Sequence, residues 1–269
     1  MFNSFKLLRL RPIRLLPIIA ISTYTITNQY KWNNSRIYLD SQLSPQPPQS
    51  IIVDSSISPF PKNLKKSSFI TQDYTLLGHG VRSVTFISFK VYGIAIYIAN
   101  SDLSKTQKIL KEYELNNPDP EHKSLNNPKE SDQIIESLLN HNIRFLIRLS
   151  PVRNTDFNHL KDGLIKSILA FPNSKNLKSE LNPGLEELRN VFSKTRGSVP
   201  KDDLLVMEIL KNGELAITYL NQKKDKVKEL GVVENPLIGK ILMQQYLSSK
   251  KPLSESLKNS CIDGLNELI

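Results

Sequence analysis

Leu76 to Ala99 reads LLGHGVRSVTFISFKVYGIAIYIA, and the fold turns on this run. Val84, Thr85, Val91, Ile96 and Ile98 are β-branched, and Phe86, Phe89, Tyr92 and Tyr97 add aromatic bulk. That composition suits a pleated, half-buried surface, so the run reads as two strands with a turn near residues 87–90. Gly78 and Gly80 flank His79 at its start, and Arg82 follows inside the first strand. A guanidinium is costly to bury unless an anion meets it. Arg82 therefore either reaches water at a sheet edge or faces a negatively charged ligand, and composition leaves both open.

Upstream, residues 1–39 hold Lys6, Arg9, Arg11, Arg14, Lys31 and Arg36 and no acid; Asp40 is the first carboxylate. Arginines alternating with Leu8, Leu10, Ile13 and Leu15 in an acid-free segment are the pattern of a mitochondrial transit peptide, assigned to residues 1–40. Leu15 to Ile26 is apolar over about a dozen residues, short of the ~20 that a membrane span needs. It suffices for a sorting segment or a weak inner-membrane anchor. A secretory signal is the rival reading; the repeated arginines and the single cysteine, Cys261, disfavour it. The net charge is +10, but without those six cations the rest of the chain has 30 basic against 26 acidic side chains. The excess that would suggest a nucleic-acid partner thus sits in the address, not in the body. Residues 41–66, with Pro45, Pro47, Pro48, Pro59 and Pro61, read as a linker whose apolar knot, Ile51-Ile52-Val53, can dock. The folded domain is then 67–269.

Within it a first strand is predicted over 69–77, ahead of the pair ending at Ala99. Ser101 or Asp102 caps a helix over 103–115. Residues 116–130, with Pro118, Pro120 and Pro128, form an inserted loop, and a short helix opens at Ser131. A strand spans 143–152. Asn154, Thr155 or Asp156 caps a helix over 157–171, whose stripe is Leu160, Leu164, Ile165 and Ile168. Pro183 opens the next helix. Two strands over 203–210 and 214–220 join through Asn212-Gly213, a hairpin signal. Helices over 236–247 and 254–268 close the chain. Strands in hairpins with helices grouped elsewhere argue an α+β fold, an antiparallel sheet covered by a helical layer.

The sequence has no P-loop, dinucleotide fingerprint, zinc-protease or nucleophile-elbow motif. One cysteine rules out a multi-cysteine metal site within the chain. The histidines are His79, His122, His141 and His159, and no two have metal-ligand spacing on a helix. His79, beside Arg82, is the candidate axial ligand should haem bind, with His159 behind it. Read from residues alone, the chain is an α+β domain with one conspicuous arginine and no named reaction.

GHGVRSVTFISFKVYGIAIYIA nevertheless resembles the signature hairpin of chalcone isomerase-like proteins, a G-V-R followed some ten residues later by an F-K-V-Y-type strand. The likeness continues through IRFLIRLSPVRNTDFNHLKDGLIKSI and into ELGVVENPLIGKILMQQYLSSKKPLSESLKNSCIDGL, and so covers about residues 60–269. With the basic N-terminus and the inserted loop it is most similar to the fungal mitochondrial branch, the altered inheritance of mitochondria proteins. The resemblance implies an open-faced β-sandwich with a helical layer and places Arg82 in a ligand cleft. In plant chalcone isomerases that arginine supports ring closure of a phenoxide onto an enone, as an intramolecular lyase. Four other positions depart from the plant enzymes. Tyr92 stands for a Thr, Phe157 and Leu164 for a Tyr and an Asn, and Gly239 for a Ser or Thr.

Loss of that network argues against authentic chalcone cyclisation. What remains is an arginine and a tyrosine able to grip a carboxylate through charge-assisted bonds. The resemblance offers two such ligands, haem through a propionate and a fatty acid. The mitochondrial address favours haem. An isomerase acting on another substrate and a fatty-acid carrier are the alternatives. The implied ligand-binding residues are Arg82, Tyr92, His79, Phe157, Leu164 and Gly239.

Overall fold

The two strands of the opening stretch are 11 residues each and pair antiparallel in a computed structural model that describes residues 49–84, 89–117, 125, 127–172, 174–247 and 251–269. The strands are β1 (Ser50–Ile51), β2 (Phe60–Pro61), β3 (Asn63–Leu64), β4 (Tyr74–Val84), β5 (Phe89–Ala99), β6 (Phe145–Pro151), β7 (Thr155–Asp156), β8 (Ser198–Val199), β9 (Leu204–Ile209), β10 (Leu215–Asn221) and β11 (Lys226–Val233). The helices are α1 (Leu103–Asn116), α2 (Pro128–Asn140), α3 (Phe157–Leu169), α4 (Lys178–Ser193), α5 (Pro236–Leu247) and α6 (Glu255–Asn266). Seven strands form one antiparallel sheet in the order β11-β10-β9-β6-β5-β4-β3. The architecture is α+β with a helical layer on an antiparallel sheet, as the sequence predicts.

β5 explains the unbroken apolar run. Its even residues, Tyr92, Ile94, Ile96 and Ile98, face the helices and pack with Ile147, Leu149, Met207, Leu164, Ile168, Leu242, Tyr246 and Leu257. Its odd residues, Ala95, Tyr97 and Ala99, face the other way and pack with Ile57, Phe60, Leu64, Ile70, Leu146 and Val206. A strand buried on both faces loses the alternation of a half-exposed one. We call these the inner and outer faces. On the inner face α6 lies close against β4. A Cβ on Gly78 would stand 2.4 Å from the Cys261 backbone nitrogen, and one on Gly80 2.3 Å from that of Leu257. The glycines before Arg82 are thus the seat of a helix.

Several sequence boundaries move. Residues 49–66 are not a linker. They lie as a strap across the outer face, with Phe60 and Leu64 buried and Asp54 held 2.7 Å from Lys90. Their prolines suggest a tether, yet Ile57, Phe60 and Leu64 fill the outer core and outweigh composition. Of the strand predicted over 69–77, residues 74–77 open β4 and residues 69–73 are its irregular lead. α2 begins at Pro128, three residues before Ser131. Pro183 sits in the second turn of α4 instead of opening it. Asp102 does not cap α1 but accepts hydrogen bonds from Arg144. β11 escapes the sequence reading because its lysines mask it. It is an edge strand, where outward charges discourage pairing with other chains. The transit segment 1–40, the linker up to residue 48, residues 87 and 88 of the predicted 87–90 turn and His122 lie outside the described residues. Among the described residues no helix is long and apolar enough to cross a membrane.

Candidate functional site

Arg82 and Tyr92 are direct cross-strand partners, so the pleat brings both side chains to the inner face side by side. Arg82 Nη1 donates to Tyr92 Oη at 2.8 Å and to Ser167 Oγ of α3 at 3.2 Å. The Ser167 hydroxyl donates to the Gly163 carbonyl at 2.8 Å, which frees its oxygen to accept from Arg82. Tyr92 Oη meets Tyr246 Oη of α5 at 2.9 Å. Gln245 Nε2, on the same helix, donates to the Ser167 carbonyl at 2.8 Å and braces α5 against α3. One guanidinium therefore rests on a group of hydroxyls drawn from one strand and two helices.

Burial would lower the Arg82 guanidinium, but its interactions with Tyr92 and Tyr246 outweigh burial and hold it above its ordinary value. Burial, and then the neighbouring Tyr92, push the Tyr246 phenol far above its ordinary value. Arg82 therefore keeps its positive charge, and the Tyr246 phenol beside the pair stays neutral. No carboxylate among the described residues pairs with Arg82.

Arg82 opens into a cavity of about 800 Å³. Val84, Phe89, Val91, Leu149, Leu160, Leu164 and Leu205 line it, with Asn154, Asp156, His159, Asp162 and Lys166 among its polar residues. Asp156 caps α3 by accepting from the His159 backbone N–H at 2.9 Å and also bonds His159 Nδ1. The first of these contacts, then the second, holds the Asp156 carboxyl below its ordinary value. Among the described residues nothing bonds His159 Nε2.

Of the six residues singled out from sequence, three line this cavity: Arg82, Tyr92 and Leu164. His79 does not. It is paired with Ala95 and so points to the outer face, three residues and one pleat away from Arg82. Burial lowers its imidazole from the ordinary value. Phe157 packs edge-on against Tyr219, ring centroids 4.9 Å apart, inside the core. Gly239 lies on α5 against Ile209 and the Gly213 carbonyl, outside the cavity wall. Sequence reasoning missed Ser167 and Tyr246; it offered Asp156 as a cap and His159 as a second axial-ligand candidate, but not their pairing. A polar residue in the apolar stripe of α3 and a tyrosine on the buried side of α5 were the available signals.

A sequence model of the family described as "Chalcone isomerase like" matches residues 72–262. The chain belongs to the chalcone isomerase-like family. Its relatives include two yeast proteins named altered inheritance of mitochondria protein 18, mitochondrial. That of Debaryomyces hansenii is 52% identical over 266 residues, covering 94% of this chain and 90% of the relative. That of Kluyveromyces lactis is 44% identical over 244 residues, covering 86% and 77%. Among solved structures, a fatty-acid binding protein of Arabidopsis thaliana superposes with a TM-score of 0.59 at 16% identity, over 82% of this chain and 98% of that one. At that identity the likeness is one of fold alone. In this chalcone isomerase-like chain the cavity lies between the β4–β5 hairpin and α3.

Proposed function

We propose that this protein is a mitochondrial, non-enzymatic binder of an apolar molecule that carries a carboxylate. The observation that carries the reading is Arg82, a half-buried cation with hydroxyl partners and no acid, at the wall of an apolar cavity. Charge-assisted hydrogen bonds to a carboxylate would neutralise it, while Val91, Leu149 and Leu205 take the apolar body. The mitochondrial names of the yeast relatives and the acid-free N-terminal segment support the compartment. The fatty-acid-binding name of the protein that shares the fold supports the ligand class.

Haem is the second reading, and His159 favours it. A ring held at Nδ1 by a carboxylate, with Nε2 free, is the arrangement in which histidines ligate metals. Arg82 would meet a propionate and His159 the iron, whereas His79 is on the wrong face. Titrating the purified chain with a fluorescent fatty acid and, separately, with hemin tests both. Saturable binding that Arg82→Met weakens is expected, and a Soret shift lost in His159→Ala would assign haem. No saturable binding of either ligand, or binding indifferent to Arg82, overturns the reading. Protein-dependent loss of chalcone absorbance would mark an isomerase instead.

A further inference from the structure

The inner cavity has two polar ends, and a carboxylate on Arg82 occupies only one of them. Arg82 meets α3 at Ser167, in the last turn of the helix. Asp156 and His159 stand at the other end of the same helix and also line the cavity. His159 precedes Ser167 by eight residues, and a helix rises about 1.5 Å per residue, so the two ends are about 12 Å apart along α3. The sheet gives a matching span. Arg82 pairs with Tyr92 and Tyr92 with Pro151, so the chain that leads into α3 leaves the sheet two strand spacings, about 10 Å, from Arg82. Between the ends the lining is apolar. Leu149 and Leu205 are cross-strand neighbours, and Leu160 and Leu164 lie on α3 between His159 and Ser167.

The far end is a hydrogen-bond acceptor. A carboxylate only accepts, so the bond between Asp156 and His159 Nδ1 places the ring proton on Nδ1. The neutral imidazole then carries its lone pair at Nε2, which no bond among the described residues uses. Asp156 also accepts from the His159 backbone N–H at 2.9 Å, so one side chain caps the helix and sets the ring's orientation. What suits this end of a ligand is a donor. A methyl end has nothing to give Nε2. A second carboxylate cannot donate either, and it would face Asp156 and Asp162 on the same wall. A hydroxyl donates.

We propose, resting on the carboxylate-binding function above, that the cavity selects a hydroxylated carboxylic acid: the carboxylate on Arg82, a medium-length apolar chain along Leu160 and Leu164, and a hydroxyl about 12 Å away that donates to His159 Nε2. Such a pocket is mostly apolar with a few placed polar groups that fix a ligand's orientation. Arg82 supplies the anchor and His159 measures the chain. Because His159 is exposed at the rim, its bond adds selectivity more than affinity.

The test displaces a fluorescent fatty acid from the purified chain with two pairs of acids: decanoic against ω-hydroxydecanoic, and hexanoic against ω-hydroxyhexanoic. The longer hydroxy acid should bind about 2- to 10-fold tighter than its parent, the range for one hydrogen bond. The shorter pair should show no difference, because its hydroxyl cannot reach. His159→Phe, at an exposed position, should erase the preference within the longer pair. Asp156→Asn keeps a capping side chain but loses the carboxylate that fixes the ring, and should reduce the preference. Arg82→Met should weaken both longer acids in equal proportion. Equal affinities within the longer pair, a preference that survives His159→Phe, or the same preference in the shorter pair would overturn the inference and leave carboxylate binding standing. A hemin Soret shift lost in His159→Ala would give Nε2 to iron and overturn it as well. No saturable binding of any of the acids would overturn both.

Discussion

Arg82 and Arg148 stand on opposite faces of one sheet and show what decides the fate of a buried cation. Arg82 has Tyr92, Ser167 and Tyr246 around it and a cavity in front. Arg148 has an aromatic ring above it and no hydrogen-bonding partner in the described protein. The inner face is built from helices that arrive from distant parts of the chain and bring polar side chains with them. The outer face is covered by the strap of residues 49–66, which brings apolar anchors and spends its polar groups on its own attachment. One face therefore presents a charge to a space of ligand size, and the other encloses it.

The comparison can be broken hardest at the inner face. Gly78→Val should force α6 off β4, because the added carbons meet backbone and not a flexible side chain; a loss of about 3 kcal/mol in urea unfolding is expected. An unchanged midpoint would deny the close seat of the helix. Next, Arg82→Met should weaken fatty-acid or hemin binding by about 10- to 100-fold, the range for hydrogen bonds to a charged group. Tyr246→Phe should cost less, about 2- to 10-fold, since it removes one neutral bond behind Tyr92. Arg148→Met should leave that affinity unchanged; a parallel loss would erase the distinction between the faces.

The pH responses are smaller. Asp54 titrates at about 2, against an ordinary 3.8, chiefly because of its bond from Lys90 and then those from Ser56. A depressed carboxyl stabilises the fold above its unfolded value. The contribution should therefore be full above about pH 4 and vanish as pH falls toward 2. Asp54→Asn should flatten that part of the acid-unfolding curve, and an unaltered curve would mean that the strap is not held there. His79 acts at higher pH. Burial lowers its imidazole below 6.5, so the unfolded chain binds the proton more readily, and stability should decline as pH drops through and below 6.5. His79→Gln should remove that slope, and a matching slope in both proteins would place the ring in solvent.

Much of this was legible beforehand. The G-V-R hairpin pointed to Arg82 as the residue to examine, and Tyr92 came from its family position in the second strand. Leu164 came from the stripe of α3 and the family position. Phe157 and Gly239 came from family position alone, and the helices that carry them turn those positions away from the cavity. His79 is the instructive failure. Closeness to Arg82 along the chain suggested a shared site, but in a strand an offset of three residues places two side chains on opposite faces. The strap and β11 were obscured by proline and lysine content, because composition does not reveal which few apolar side chains will be covered.

The sequence by itself determined the local elements: two long antiparallel strands, helices with apolar stripes, and a cation set among them. These follow from β-branching, period and capping, which neighbours in the chain settle among themselves. Only the tertiary structure decided what the cation meets. Ser167 is 85 positions from Arg82, and Tyr246 is 154 positions from Tyr92. Their meeting depends on the registry of the sheet and on how α3 and α5 dock upon it. Such long-range contacts leave no periodic trace in a sequence, because they are fixed by packing the whole core at once.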